Sequence, residues 1–274
     1  MMRTMPFVQV GGTDVHYVEA GSGPPLVFLH GFGSCGEAWH QQAAAFAPHF
    51  RAVAFDSVNH GHSSNSPRGE PEPDRADELD GFLAALGIER PVLAGNSMGA
   101  LTVLRWAVRH PDRALALVPS GMGVQPPAGE DGGTAEVVRR MREPVSDEVL
   151  FLPAEAGFTG GFAERSPAAY QRYVRLRSTA TRIEASRHPR QPAMADPARE
   201  ELAGRVGAIR SPMQIVVGEH DWLAPAARHL HDLVAGSRLA VVPGAPHNVY
   251  YEAAEAYNRV VSEFLAFAQT IVRP

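Results

Sequence analysis

Apolar positions along the chain follow two rhythms. Near the start, "VQVGGTDVHYVEAG" alternates apolar and polar residues on either side of Gly11-Gly12, a strand–turn–strand pattern. Short continuous apolar runs follow, each bounded by turn residues: Leu26 to Leu29, "RAVAF" just before Asp56, "PVLAG" and "ALALVPSG". Runs of this length fit strands buried on both faces. Between them the period lengthens. Leu79, Phe82, Leu83 and Leu86 share one helix face, and Gly87 can close that helix. "ALTVLRWAVRH" reads as helix until Pro111. The alternation of strand and helix predicts an α/β fold: a mostly parallel sheet flanked by helices.

The alternation stops near Met122. Residues 123–204 are rich in Pro, Gly, Arg and Ala, with helix-like stretches ("TAEVVRRMRE", "PAAYQRYVRLRSTATRIEAS") and no strand pattern. It resumes with "MQIVVGEHD" and "LAVVPGAPH". A closing helix then carries Tyr257, Val260, Val261, Phe264, Leu265 and Ala268 on one face. A structureless loop as long as 123–204 would be out of place in a compact domain. The expected organisation is therefore a core of residues 1–122 and 205–274 with an inserted helical cap over 123–204.

Composition narrows the partners. With 274 residues, 45% of them hydrophobic, the chain can bury a sizeable core. A net charge of −5 without a basic block argues against nucleic acid and anionic membranes. No run approaches the roughly 18 apolar residues of a membrane span, and the N-terminus lacks a signal-peptide core. The single cysteine, Cys35, forms no disulfide within the chain. The expectation is a cytoplasmic protein acting on a small molecule, with no nucleic-acid or membrane partner.

The candidate chemistry starts at Gly95-Asn96-Ser97-Met98-Gly99, a G-x-S-x-G pattern between a strand and a helix. A serine at so sharp a corner points its hydroxyl away from the sheet, and the glycines admit close backbone approach. The helix N-terminus behind it favours an oxyanion. A serine hydroxyl needs a base, and the base needs an orienting carboxylate. Asp221, just past "IVVGEH", and His247, after "LAVVPGAP", follow in the order expected for such a fold and at strand ends. Glu219 is the rival carboxylate. His110, His220, His229 and His231 read as surface or capping residues. The expected oxyanion donors are the backbone N–H groups of Met98 and of Phe32 in "HGFGS", with His30 bracing that loop. Cys35 reads as an inert buried thiol.

These motifs together resemble the α/β-hydrolase fold superfamily, Ser-His-Asp branch. Its D-x-R-G-x-G-x-S turn is matched by "DSVNHGHS" from Asp56 to Ser63, with Val58 in place of Arg and Asn59 in place of Gly. Asn tolerates the left-handed turn conformation. The resemblance implies a helical cap over the catalytic rim, an acyl-enzyme mechanism and no cofactor or metal. It points first to a carboxylic ester hydrolase. "GNSMG" and the Asn258-Arg259 pair are similar to the branch that hydrolyses the carbon–carbon bond of meta-cleavage products. "HGFGS" and Asn248 after the histidine depart from that branch, so it ranks second. A non-hydrolytic lyase or receptor is the third reading. Asn96, Trp222, Phe158 and Phe162 are the expected substrate-binding residues. Phe151, Tyr170, Tyr173 and Met141 are further candidates for the pocket ceiling. The "FTGG" stretch from Phe158 reads as an exposed hinge, and the cap arginines, Arg139, Arg140, Arg172, Arg175, Arg177 and Arg182, as mostly solvated.

Overall fold

A computed structural model describes residues 6–66, 73–126, 157–180 and 202–272. Phe151, Met141, Arg139, Arg140, Arg182 and "TAEVVRRMRE" lie outside the described residues. The strands are β1 (Phe7–Val10), β2 (Thr13–Ala20), β3 (Pro25–Leu29), β4 (Arg51–Phe55), β5 (Val92–Asn96), β6 (Ala116–Ser120), β7 (Gln214–Gly218) and β8 (Arg238–Val242). The helices are α1 (His40–Phe46), α2 (Arg75–Ala85), α3 (Met98–Arg109), α4 (Phe162–Arg165), α5 (Pro167–Ala180), α6 (Leu202–Arg205), α7 (Ala224–Leu233), α8 (Val249–Glu252) and α9 (Ala254–Val272).

The strands form one sheet in the order β1-β2-β4-β3-β5-β6-β7-β8. The β1–β2 hairpin turns on Gly11 and Gly12, both at positive φ. It joins the sheet antiparallel to β4, while every pairing from β4 to β8 is parallel. Alternation within the buried runs divides the core between two faces. Leu26 and Phe28 of β3 pack with Trp39, Val118, Tyr250, Tyr257 and Phe264 on one side. Val27 and Leu29 pack with Val53, Phe82, Leu104 and Trp106 on the other. α2 starts where Asp74 accepts hydrogen bonds from the Ala76 and Asp77 N–H groups, a side-chain N-cap. α1 has no strong apolar period in the sequence; it is fixed by burial of Gln42 and Phe46. Among the described residues no helix is long and apolar enough to cross a membrane.

The chain reverses direction of travel across the sheet beside β3. After β4 it passes back over β3 to lay down β5 on its other side. The crevice at such a switch point, beyond the strands' carboxyl ends, is where open α/β sheets bind ligands. The loops after β3 and β5 therefore meet there. α3 sits unusually close to these strands. A Cβ on Gly99 would lie 2.2 Å from the Leu29 carbonyl oxygen, and one on Gly95 would lie 2.4 Å from the Gly99 carbonyl oxygen. Gly99→Ala should therefore destabilise the fold by about 1–3 kcal/mol through overpacking, read as a lower urea midpoint at unchanged m-value.

Candidate active site

Ser97 links the end of β5 to α3 with φ 54° and ψ −114°. It and Asn59 are the described non-glycine residues at positive φ. Such a conformation persists only where surrounding structure enforces it. Its N–H donates to the Ser120 carbonyl at 2.9 Å, which ties the corner to β6. A serine at a helix N-cap normally spends its hydroxyl on the first free N–H groups. Ser97 makes no such side-chain cap bond, so the hydroxyl is left for other work. The residue itself is buried.

Asp221 and His247 come together although 26 residues separate them. His247 Nδ1 lies 3.0 Å from Asp221 Oδ1 and 3.1 Å from Oδ2. The carboxylate can only accept, so Nδ1 is the donor in this pair. Asp221 Oδ1 also accepts the Leu223 N–H at 2.9 Å, which holds the carboxylate in place. Both residues are buried. Glu219 instead accepts the Gly244 N–H from an exposed position. Two of the rival histidines are engaged elsewhere: His110 faces Asp80, and His231 pairs with Ser237.

Gly121, just past β6, shows how closely the site is assembled. Its φ is +57°, and a Cβ there would lie 2.9 Å from Asn96 Oδ1, 3.1 Å from the His247 carbonyl oxygen and 3.2 Å from Asp221 Oδ2. Loops from β5, β7 and β8 thus converge on one point that only glycine can occupy. Sequence reading missed this residue; the glycine ending "ALVPSG" was its only signal. On the other side, a Cβ on Gly31 would lie 3.4 Å from Ser97 Cβ. The "HGFGS" loop is therefore beside Ser97, as the switch point requires. Asn96, expected to bind substrate, is fully buried and lies between Gly31 and Gly121.

The loop after β3 is braced from behind. His30 Nε2 accepts the Ser57 N–H at 3.0 Å, so its Nδ1 donates to the Gly31 carbonyl at 2.8 Å. Burial lowers its pKa, which favours this neutral form. Asp56 Oδ1 accepts the Gly36 N–H at 2.6 Å. Its Oδ2 accepts from the His62 N–H and the His16 ring, both at 2.8 Å. Burial alone would raise the Asp56 pKa, but the hydrogen bonds from His16 and His62 outweigh it and hold the carboxyl well below its usual range. His16, Asp56 and His62 also bring three potential metal-ligand atoms within 4.8 Å of one another. Asn59, at φ 66°, completes this turn in the left-handed conformation that its side chain tolerates. The Cys35 thiol is buried and its pKa is pushed up to about 12, by desolvation first and then by the charges of Asp56 and Glu37. The ring of Phe32 is exposed and stands edge-on to His60.

The segment from Gly157 to Arg165 is packed against the core and hydrogen-bonded to it. Phe158 and Phe162 stack on each other at 4.6 Å and are buried with Tyr173 and Tyr251 in the core cluster. Their rings thus pack into the core cluster on one face of the sheet, together with Trp39 and Tyr250. The "FTGG" stretch is an anchor. The Gly157 carbonyl accepts the Asn248 N–H at 2.9 Å, Asn248 Nδ2 donates to the Tyr173 hydroxyl at 3.1 Å, and Glu252 accepts the Thr159 N–H at 2.9 Å. Glu252 also accepts from the Thr159 hydroxyl and from Arg165. The residues after His247 are thereby stitched to this segment. Trp222, another expected substrate contact, stacks on His247 with ring centroids 4.3 Å apart.

Comparison with known proteins fits this geometry. The alpha/beta hydrolase fold family model matches residues 24–142. A 2-hydroxymuconate semialdehyde hydrolase of Pseudomonas sp. (strain CF600) is 30% identical over 284 residues, covering 93% of this chain and 91% of that protein. The chain belongs to the α/β-hydrolase fold family. A non-heme haloperoxidase of Rhodococcus erythropolis is 27% identical to this α/β-hydrolase, over 95% of this chain and 99% of its own. Some further relatives match over less than half of their own length. Among solved structures, a thermophilic esterase from Thermogutta terrifontis superposes with a TM-score of 0.78 at 20% identity, over 97% of this chain and 99% of that one. At that identity the likeness concerns the fold.

The bracing carboxylate makes a stability prediction. Asp56→Asn should cost about 3–5 kcal/mol, because its buried donors lose a charged acceptor. Since the folded pKa is depressed, the wild-type contribution is complete above about pH 4 and lost as pH falls below it. Urea unfolding at several pH values should show that slope in the wild type and a flatter one in D56N.

Proposed function

We propose that this α/β-hydrolase is a serine hydrolase that cleaves small to medium carboxylic esters through an acyl-enzyme. The observation that carries the reading is the buried His247–Asp221 pair at 3.0 Å, held where Gly121 meets both of them and Asn96, the neighbour of a serine whose hydroxyl caps no helix. His247 Nε2 takes the proton as Ser97 Oγ attacks the acyl carbon. Asp221 holds the tautomer and stabilises the imidazolium. The N–H groups of Met98 and Phe32 receive the oxyanion. As the tetrahedral adduct collapses, His247 returns the proton to the departing alkoxide, and an alcohol leaves. Water, deprotonated by His247, then attacks the acyl-serine. The acid is released, and the proton returns to Ser97. Each step uses only side chains and backbone of this chain. In this reading residues 123–204 are the cap, supported by the bonds that tie residues 157–165 to Asn248 and Glu252 just after His247.

A second reading, hydrolysis of a carbon–carbon bond in a vinylogous diketone, is favoured by the relative named a 2-hydroxymuconate semialdehyde hydrolase. There the substrate would ketonise in the same site before Ser97 attacks. Asn248 ranks it second: its side chain is spent on Tyr173, where that branch carries an aromatic residue.

Ser97→Ala should abolish turnover of short nitrophenyl esters without lowering Tm. Asp221→Asn should cut kcat on the order of a thousandfold or more by releasing the wrong tautomer. Full activity of S97A would end the nucleophile assignment. Wild-type turnover of a dienone acid chromophore far above that of the esters would favour the second reading. Absence of both activities, with no fluorophosphonate labelling of Ser97, would favour a binding role.

A further inference from the structure

Two contacts with the imidazole of His247 are plain in the structure, and only one belongs to the triad. Asp221 meets the Nδ1 edge. The indole of Trp222 covers a face, with ring centroids 4.3 Å apart and planes inclined by 24°. A single edge hydrogen bond leaves a ring free to rock about the bond axis. A stacked face removes that freedom. The distance also lies inside the roughly 6 Å range over which a cation is attracted to an aromatic face, and Trp is the strongest such partner.

We propose that Trp222 is a positioning residue for His247, holding the plane of the imidazole and stabilising the cation that the ring becomes when it takes the proton from Ser97. The inference rests on the reading of Ser97, His247 and Asp221 as a catalytic triad. The local chain supports it. One turn supplies both partners: Asp221 accepts the Leu223 N–H through its side chain and the Ala224 N–H through its carbonyl. Trp222 is carried between them, so carboxylate and indole are set against the imidazole as a unit. Its role differs from the substrate contact expected from sequence, because one face is already taken by His247. Asn248, the residue after His247, donates to the Tyr173 hydroxyl, and Arg177 acts on that phenol.

The test compares Trp222→Leu, which keeps an apolar cover without a π face, with Trp222→Phe, which keeps the face. Three quantities are read: kcat and KM on a short nitrophenyl ester, the pH dependence of Ser97 labelling by a fluorophosphonate, and the His247 Cε1–H resonance, assigned with H247Q. In W222L, kcat should fall about tenfold with KM within about twofold. The acid limb of labelling should move to lower pH, because the imidazolium has lost its π partner. The upfield ring-current displacement of the resonance should vanish. W222F should retain most of each property. The proposal is overturned by a W222L enzyme with wild-type kcat and limb, by a W222F enzyme as slow as W222L, or by a raised KM at unchanged kcat, which would make Trp222 a substrate contact. A wild-type protein that the probe does not label would remove the catalytic reading, while the resonance would still decide the stack. Labelling without a displaced resonance would remove the stack alone.

Discussion

The architecture of the site depends on how closely the start of α3 packs on β3 and β5. Gly95 and Gly99 allow backbone to touch backbone there, with no room for a side chain between helix and sheet. The chain must then turn within one residue, and Ser97 absorbs the turn at positive φ. Strain of this kind costs about 1–3 kcal/mol and survives only where packing over-determines it. The reward is geometric. The hydroxyl makes no helix-capping bond, and α3 begins at the next residue, Met98.

Everything else at the rim is arranged to meet that corner. Asp56 fastens the loop after β3 through the Gly36 N–H and the turn at His62 through its N–H, while His30 joins the same two segments from its own ring. Gly121 lets the loops after β5, β7 and β8 approach one another without a side chain between them. Tyr250, three residues past His247, stacks on Trp39 at 4.1 Å and is buried in the core. The histidine loop is therefore anchored both by aromatic packing and by the segment from Gly157 to Arg165. A residue positioned from both sides has little freedom to leave its carboxylate.

Much of this was readable from the linear pattern. Buried strands announce themselves as apolar runs, and β3, β5, β6 and β7 fall on the runs read from the sequence. The Ser97 corner was visible because a serine flanked by glycines, set between a strand and a helix, marks a turn too tight for side chains on either side. The order Ser97, Asp221, His247 followed from where strands end. Less visible was what side chains do once long-range contacts form. Phe158 and Phe162 look alike whether they roof a pocket or fill a core, because aromatic spacing on a short helix carries no sign of which neighbour it meets. Gly121 showed only as a glycine ending a strand, since its role is set by three loops distant in sequence.

Local chemistry along the chain was thus enough to determine the sheet, the strained serine corner and the residues able to serve it, since propensity, turn geometry and burial period are properties of neighbours. Only the tertiary structure decided which carboxylate meets His247, that Trp222 covers its face, and that the segment from Gly157 to Arg165 grips the residues just after it. Those contacts join segments up to about ninety residues apart, between Thr159 and Glu252, and no local rule reaches across such a gap. They exist because the sheet's crossover brings separate loops to one edge, where burial and unsatisfied hydrogen-bonding groups select among the pairs that can form.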